Sequence, residues 1–486
     1  MLLKKTLITI IVVFVLSTSV LASADIISCF TDSSYHNDIA TSENSYNIKI
    51  AVTGDLLTTK NVLISAESQM NESIIDPYIR VASGFEKLFS KSIIENILFA
   101  DFAFGNLEEP IAEGLTEKWY WQNNRPICEK IFVEPGDLFD GRAYKYNPRM
   151  VINAHPAFAL ALKNIGFDIV STANNHYANR ASNGIDLTID ALNKSGLDYV
   201  GTLKYDEIID ENSDGYSENT PYIIKNIKDV KIAFLGFASQ TNHIVGGFQV
   251  FPVFLGRLPP ADRFCSRQVY SILSNNNPIE FNIQNFCSGI TEAKNNSDIV
   301  CVSVHWGICN KHEPSFLQRK IARRFMEVGA DVIVGHGPHV VQPIEHFVTS
   351  DGRDTFVIYS LGNFLVDGVY QHSLNYNSRV AVIGFVNIVN STGEIFVNNI
   401  TYITTFSSKT EDKQTKVVVA ENYGFKKAEK IVQTVMNGNK FNRFILSQKY
   451  LSFVPGLRIF IRDDIWLDHW ILFKWKLEEI KNSIFN

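Results

Sequence analysis

The sequence predicts a layered α/β domain, and three observations support this prediction. Short apolar runs rich in β-branched residues stop at a polar side chain, as residues 299–304 do before His305 and residues 331–335 before His336. Such runs are typical of parallel strands that are buried on both faces. Amphipathic stretches of helical length separate the runs, and glycines follow two of these stretches as C-terminal stops. Strands and helices that alternate in this way favour a layered α/β architecture.

The elements follow one another in a regular order. Ordered structure should begin at Tyr46, and residues 47–52 form a strand that delivers Asp55 to a turn. Similar strands are predicted near residues 100–104, 167–171 and 231–235. Helices are predicted over residues 154–165 and 184–195, with Gly166 and Gly196 as their stops. Residues 379–389 and 394–404 flank a turn sequence at 390–393, which predicts a hairpin in a sheet that closes the domain.

The chain is longer than one hydrophobic core usually supports, so we expect a large domain with additions. Residues 46–406 form the predicted domain, and residues 407–486 a C-terminal extension of mixed, largely helical character. Two segments, 109–149 and 242–285, break the periodicity and are predicted to be insertions. Long loops at strand ends usually carry specificity.

The N-terminus has the pattern of a secretory signal. Lys4 and Lys5 precede an apolar run, and Ala22 and Ala24 provide small residues for cleavage. We therefore expect a signal peptide over residues 1–24 and export to the periplasm, the cell surface or the medium. The alternative is an uncleaved anchor, although residues 7–22 are fewer than the about 20 that a membrane span needs.

The charge balance argues against one class of partner. The net charge of −6 provides no overall attraction to nucleic acid, so no nucleic-acid partner is expected.

The six cysteines form no C-x-x-C pair, which argues against a structural zinc knuckle. Their even number in an exported chain permits disulfides without specifying them.

Polar residues at the predicted strand ends form a candidate metal site. A lone histidine is more often structural than a ligand, but the clustering here favours ligation. Carboxylates, carboxamides and imidazoles together suit one or two divalent ions such as zinc, manganese or iron. The candidates are Asp55, Asn106, Glu108, Asn175, His176, His305, His336 and His339.

Seven motifs in order give the chain a specific resemblance. They are G-D at 54–55, G-N-L-E-E-P-I at 105–111, A-N-N-H at 173–176, H-W-G at 305–307, E-P-S at 313–315, G-A-D-V-I-V-G-H-G-P-H-V at 329–340 and Y-S-L-G-N-F at 359–364. This series resembles the CapA family, which is named for bacterial capsule and poly-γ-glutamate synthesis. Its fold is related to the calcineurin-like metallophosphoesterases, so the resemblance implies a metallophosphoesterase-like α/β sandwich.

The resemblance also implies roles for individual residues. The metal ligands would be Asp55, Glu108, Asn175, His305, His336 and His339. Asp55 and His176 would take part in catalysis, with the His176 imidazole protonating a leaving group or holding an oxyanion. Asn106, Asn174 and Asn363 would contact the substrate, although Asn106 is equally consistent with a turn cap.

The sequence departs from the family pattern at three places. Leu57 stands where the phosphoesterases have a histidine, Gly337 replaces the second histidine of G-H-H-P-H, and residues 308–310 replace an acidic-aromatic pair. The resemblance implies an anionic cell-surface polymer or a phosphoester as substrate, with the envelope synthesis machinery as a further partner. The departures keep open the alternative of a non-catalytic factor that binds or anchors the polymer. An ordinary exported phosphoesterase is a third hypothesis.

Overall fold

The computed structural model describes residues 46–112, 115–122, 125–132, 153–177, 181–204, 222–238, 243–245, 248–250, 279–367, 376–391 and 393–437. The predicted signal peptide, residues 1–24, lies outside these ranges, as do residues 438–486 of the predicted extension.

The strands of the described chain are β1 (Tyr46–Leu56), β2 (Phe102–Leu107), β3 (Leu115–Gln122), β4 (Arg125–Phe132), β5 (Ile169–Ser171), β6 (Asp198–Val200), β7 (Tyr222–Ile227), β8 (Val230–Ala238), β9 (His243–Val245), β10 (Phe248–Val250), β11 (Ile299–His305), β12 (Val332–His336), β13 (Ile344–Val348), β14 (Asp354–Ile358), β15 (Asn363–Leu365), β16 (Val380–Ser391), β17 (Glu394–Lys409) and β18 (Thr415–Val419). The helices are α1 (Lys60–Glu67), α2 (Pro77–Glu86), α3 (Lys91–Leu98), α4 (Ala157–Asn164), α5 (Ala181–Ser195), α6 (Ile279–Asn296), α7 (Phe316–Glu327) and α8 (Lys426–Met436).

Two sheets organise the domain. The larger has the order β18-β17-β16-β1-β2-β5-β6, with β15 also paired to β1, and the smaller has the order β13-β14-β12-β11-β8-β7. Strands β1, β2, β5 and β6 run parallel, as do β8, β11, β12 and β14. Parallel strands place their carboxyl ends at one edge of a sheet, where ligand sites form.

The two sheets pack face to face. Apolar side chains from both sheets form one core, in which Phe234 of β8 stacks on Phe102 of β2 with ring centroids 5.0 Å apart. Alternate residues point outward, so that Val300 and Val302 pack with α6 and α7 while Ala51 packs with the helices over the larger sheet. The result is helix, sheet, sheet and helix layers, which confirms the predicted layered α/β sandwich.

Several predicted elements are present with shifted ends. The predicted helices 154–165 and 184–195 correspond to α4 and α5, and Gly166 and Gly196 follow them at φ +109° and +65°. Left-handed backbone costs glycine little, which explains its use as a stop. The hairpin predicted around residues 390–393 is β16 and β17, and β16 pairs with β1 inside the larger sheet.

The predicted segment boundaries fall inside regular elements. The larger sheet extends past residue 406, because β17 continues to Lys409 and β18 pairs with it. Helix α8 then packs on the core between the sheets through Ile431 and Val432. Similarly, residues 279–285 of the predicted second insertion are the first turns of α6, and part of the predicted first insertion is the β3–β4 hairpin. Edge strands and a covering helix are hard to assign from local patterns, since partners far along the chain stabilise them.

Candidate metal centre

Strand register brings the predicted ligands together. Asp55 on β1 lies opposite Asn106 on β2, and His305, the last residue of β11, lies opposite His336, the last residue of β12. Glu108 follows β2 directly. The site therefore draws on the carboxyl ends of parallel strands in both sheets.

The ligand atoms lie close to one another. The Nδ1 atoms of His336 and His339 are 3.4 and 3.2 Å from carboxylate oxygens of Asp55. Glu108 lies 3.7 Å from His305 Nε2 through one oxygen and 3.7 Å from His339 Nδ1 through the other. Ligand atoms of Asp55, Glu108 and His305 all lie within 4.8 Å of one another, a spacing at which one cation contacts all three.

The donors of this cluster are buried and incompletely paired. Asp55 and Glu108 are 0% exposed, and His305 and His336 are 1% exposed. Within the described part of the chain, neither carboxylate oxygen of Glu108 has a hydrogen-bond partner, nor does Nε2 of His336. A buried polar atom without a partner is costly unless an ion or water satisfies it. The donor set therefore fits a divalent cation.

The electrostatics of the cluster are those of a site built for positive charge. Burial raises the pKa of Asp55, but the neighbouring imidazoles of His336 and His339 outweigh it and hold that pKa well below its usual range. Burial, together with the negative charge of Asp55, raises the pKa of Glu108 well above its usual range. Burial also lowers the pKa of His305 to about 3, so this imidazole is neutral and available as a ligand.

Asparagines orient the ligands. Asn106 donates from Nδ2 to Asp55 Oδ1 at 2.8 Å, and Asn363, which pairs with Asp55 in the β1–β15 register, contacts His339 Nδ1 through Oδ1 at 2.9 Å. Asn174 is fully buried, donates to the Leu107 carbonyl at 2.7 Å and accepts from the amide of His176 at 3.0 Å. These contacts are with protein atoms, so the predicted contact of the three asparagines with substrate stays a prediction. Such partners fix ligand geometry.

Asn175 and His176 lie at the same end of the larger sheet. The Asn175 side chain is 9% exposed, and its Oδ1 has no hydrogen-bond partner among the described residues. His176 is 3% exposed and follows Asn175 directly in the loop after β5. Ligation by Asn175 and catalysis by His176 and Asp55 stay predictions.

Backbone geometry explains why glycines border the cluster. A Cβ at Gly54 would lie 1.9 Å from the carbonyl oxygen of Gly362, which accepts the Asp55 amide at 3.0 Å. Gly337 has φ +104°, and a Cβ there would lie 2.6 Å from the carbonyl oxygen of Trp306. Gly337 thus lets the β12 loop cross the β11 loop closely, which places His339 over Asp55. Trp306 itself is a packing residue, 1% exposed, whose indole donates to the Tyr359 carbonyl.

Sequence reasoning missed two polar residues beside the cluster. Glu109 is 2% exposed and accepts from the amide and hydroxyl of Thr58 at 2.6 and 2.8 Å, which ties the loops after β1 and β2 together. Cys309 lies in the loop after β11, with its thiol 3.9 Å from the carbonyl oxygen of Gly337. The doubled glutamate of G-N-L-E-E and the cysteine two residues after H-W-G were the available signals. Leu57, at the position of the expected histidine, is 8% exposed.

The two packed sheets, with carboxylates and imidazoles gathered at their strand ends, define a layered α/β sandwich with a candidate metal centre. Residues 49–368 match the family described as bacterial capsule synthesis protein PGA_cap. That match covers more than half of the chain, which therefore belongs to this family.

Two curated relatives agree with this assignment. The chain is 27% identical over 289 residues to the PGA biosynthesis protein CapA of Bacillus subtilis (strain 168), a match that covers 58% of this chain and 65% of the relative. It is 28% identical over 237 residues to the capsule biosynthesis protein CapA of Bacillus anthracis, covering 49% of each. The chain thus spans less than two thirds of either relative.

Two solved structures are also similar to the chain. A phosphatase from Mycoplasma pneumoniae matches at 13% identity with a TM-score of 0.34, covering 74% of this chain and 93% of that chain. The calcineurin-like phosphoesterase YfkN from Bacillus subtilis matches at 14% identity with a TM-score of 0.35, covering 80% and 99%. At these scores neither structure supports an argument about this chain.

Among the described residues, no helix combines the length and the apolar character that crossing a bilayer requires.

Proposed function

We propose that this chain is an exported, metal-dependent hydrolase or transferase in the biosynthesis or processing of a cell-surface polymer. Family membership supports the polymer context, and the buried cluster of Asp55, Glu108 and His305 supports the metal chemistry. The observation that carries the proposal is the convergence of three ligand atoms within 4.8 Å, with both Glu108 oxygens unpartnered.

The donor set indicates which residues would hold the metal. Asp55, Glu108, His305, His336 and His339 would hold one or two divalent ions. Bound there, a divalent ion activates water and polarises a phosphoryl or acyl oxygen. Mn²⁺, Zn²⁺ and Fe²⁺ all accept such oxygen and nitrogen ligands.

The chain's own residues would act on the substrate and its protons. His176 would donate a proton to the leaving group or hold an oxyanion, and Asn175 would complete the ligand set beside it. The bond attacked would be a phosphoester or a γ-glutamyl amide, and the substrate an anionic surface polymer or a phosphoester. The envelope synthesis machinery is the partner that this role would require.

Metal content tests the first step of this proposal. We expect purified protein to contain a divalent metal by mass spectrometry and the double variant His305→Ala, His336→Ala to contain little. His346→Ala is the matched control, because His346 is exposed on β13 and pairs with Asp354. Circular dichroism verifies that each variant is folded. Equal metal in wild type and in the folded double variant contradicts the proposal.

A second candidate is a non-catalytic factor that binds or anchors the polymer. The departures from the family pattern favour it, since Leu57 fills the position of an expected histidine. Hydrolysis of γ-glutamyl oligomers and of a generic phosphodiester with added Mn²⁺, Zn²⁺ or Fe²⁺ separates the two candidates. Turnover that His176→Ala abolishes supports the enzyme, whereas polymer binding without turnover under every metal supports the binding factor.

A further inference from the structure

The side chain of Asn363 reaches the cluster from the strand beside Asp55. The two residues are paired in the parallel register of β1 and β15, and the Asp55 amide donates to the Gly362 carbonyl at 3.0 Å. The Leu57 amide donates to the Leu365 carbonyl at 2.9 Å, so backbone hydrogen bonds hold β15 on both sides of Asn363. Asn363 is 2% exposed. The sheet therefore fixes its position beside Asp55.

The orientation of the Asn363 carboxamide is also fixed. Its Nδ2 donates to the Ser378 carbonyl at 2.8 Å and reaches the His339 carbonyl at 3.4 Å. The reverse orientation would bring Oδ1 against these two carbonyl oxygens, which offer it no donor. Oδ1 therefore points toward the cluster, where it lies 2.9 Å from His339 Nδ1.

Three oxygen atoms surround the Nδ1 atom of His339. This nitrogen lies 2.9 Å from Oδ1 of Asn363, 3.2 Å from Oδ2 of Asp55 and 3.7 Å from Oε2 of Glu108. Two ligand atoms that are each about 2.1 Å from one ion lie about 3.0 Å apart at an octahedral angle and about 3.4 Å apart at a tetrahedral angle. The spacing around Nδ1 is therefore close to that of the ligands of one ion.

The two carboxylates provide a second observation that points to an ion at this place. Asp55 and Glu108 are 0% exposed, and within the described ranges Oδ2 of Asp55 and Oε2 of Glu108 have no hydrogen-bond partner. A cation would satisfy both oxygens. When His339 Nδ1 binds that cation, it has no proton to donate. The lone pairs of Nδ1 and of Asn363 Oδ1, 2.9 Å apart, then repel each other unless Oδ1 also faces the ion.

We propose that the Oδ1 atom of Asn363 is a ligand of the metal centre, bound to the same ion as His339 Nδ1 and the two carboxylates. This inference rests on the metal centre of the proposed function, and it gives Asn363 a role other than the predicted contact with substrate. The carboxamide binds through a lone pair of Oδ1 and stays neutral. The ion at this position has three oxygen ligands and one nitrogen ligand, a set that suits Mn²⁺ better than softer ions.

The affinity for Mn²⁺ provides one test. We expect Asn363→Ala to weaken Mn²⁺ binding at least about tenfold in isothermal titration calorimetry of the full chain, because even the loss of a group that only orients a ligand costs about 10- to 100-fold. Asn387→Ala is the matched control and should leave the affinity unchanged, since this exposed carboxamide bonds to Asn399 on β17. Circular dichroism verifies that both variants are folded. Unchanged affinity in the folded Asn363→Ala variant overturns the inference.

The position of the ion in the wild-type protein provides a second test, which depends neither on a variant nor on activity. Crystals grown with Mn²⁺ should show, by anomalous diffraction, an ion within about 2.5 Å of Asn363 Oδ1. This measurement separates a ligand from a residue that only orients His339. In the orienting role, Oδ1 would keep its hydrogen bond with His339 Nδ1 and lie outside that distance.

The outcomes separate this inference from the metal centre itself. Mn²⁺ bound by Asp55 and Glu108, with the Asn363 oxygen beyond that distance, overturns ligation by Asn363 and leaves the metal centre standing. A wild-type protein that binds no divalent metal overturns both.

Discussion

His155 offers a quantitative test of the structure, because its role depends on its protonation state. It precedes α4, is 5% exposed, and its Nδ1 accepts a hydrogen bond from the Ala157 amide at 3.1 Å. Only the neutral imidazole accepts this bond. Burial, with a smaller contribution from the positive charge of Lys194, lowers the pKa of His155 from 6.5 to about 4.

The size of the pH-dependent change in the free energy of unfolding follows from the pKa of His155 in the folded and in the unfolded chain. Because the folded-state pKa lies below that of the unfolded chain, the stabilisation is present above pH 6.5 and is lost as the pH falls toward 4. At pH 7 both states are largely neutral. At pH 5 the unfolded chain binds a proton that the folded protein excludes, which lowers the free energy of unfolding by about 2 kcal/mol.

The variant His155→Asn isolates this effect. Asparagine retains an acceptor for the helix N-terminus but does not titrate. Urea denaturation at pH 7 and pH 5 should show that wild type loses about 2 kcal/mol more than the variant. His346→Asn, on an exposed strand, controls for the general effect of losing a histidine. Equal pH dependence in wild type and His155→Asn would refute the assignment of His155 as a buried neutral group.

Three further changes probe the site and the core. Glu108→Gln should remove the thermal stabilisation by added metal, worth about 2.7 kcal/mol at a hundredfold excess over Kd, and a metal-induced shift equal to wild type would contradict ligation by Glu108. Gly337→Ala should lower the free energy of unfolding by about 2 kcal/mol or more, because strained φ adds to the clash with Trp306. Gly352→Ala, at φ +86° in open space, should lower it by only about 1 kcal/mol. Equal losses for the two variants in urea denaturation would contradict the clash at Gly337. Phe234→Ala should cost about 3 to 5 kcal/mol, since this fully buried ring lies between the two sheets, and a loss below about 1 kcal/mol in the same assay would contradict that packing.

The strands whose carboxyl ends form the site were predictable, because the sequence pattern that identifies them is local. Residues 299–304 and 332–335 are apolar runs, interrupted only by Ser303, because both sheet faces are covered, and the structure places β11 and β12 there. Asp55, His305 and His336 could therefore be assigned to strand ends without knowledge of the sheet order. The hairpin of β16 and β17 was equally local, since a turn sequence separates two apolar strands.

The boundaries were less predictable because distant pairing decides them. Strand β18 is short, and its sequence alone was assigned to the predicted C-terminal extension. In the structure, however, Val417 exchanges backbone hydrogen bonds with Leu88 and Ser90, more than 300 residues earlier. The register of Asp55 with Asn363 is likewise a contact across 308 residues. Local propensity has no information on such partners.

The sequence by itself determined the chemical inventory of this protein: carboxylates and imidazoles at strand ends, and motifs in the order of one family. Only the tertiary structure decided which of them meet, and that Asn363 orients His339 instead of standing free. The physical reason is the difference in range. Hydrophobic periodicity is set by neighbouring residues, whereas the distances and pKa values at the site arise from packing two sheets and two loops, through burial and charge that no short segment provides alone.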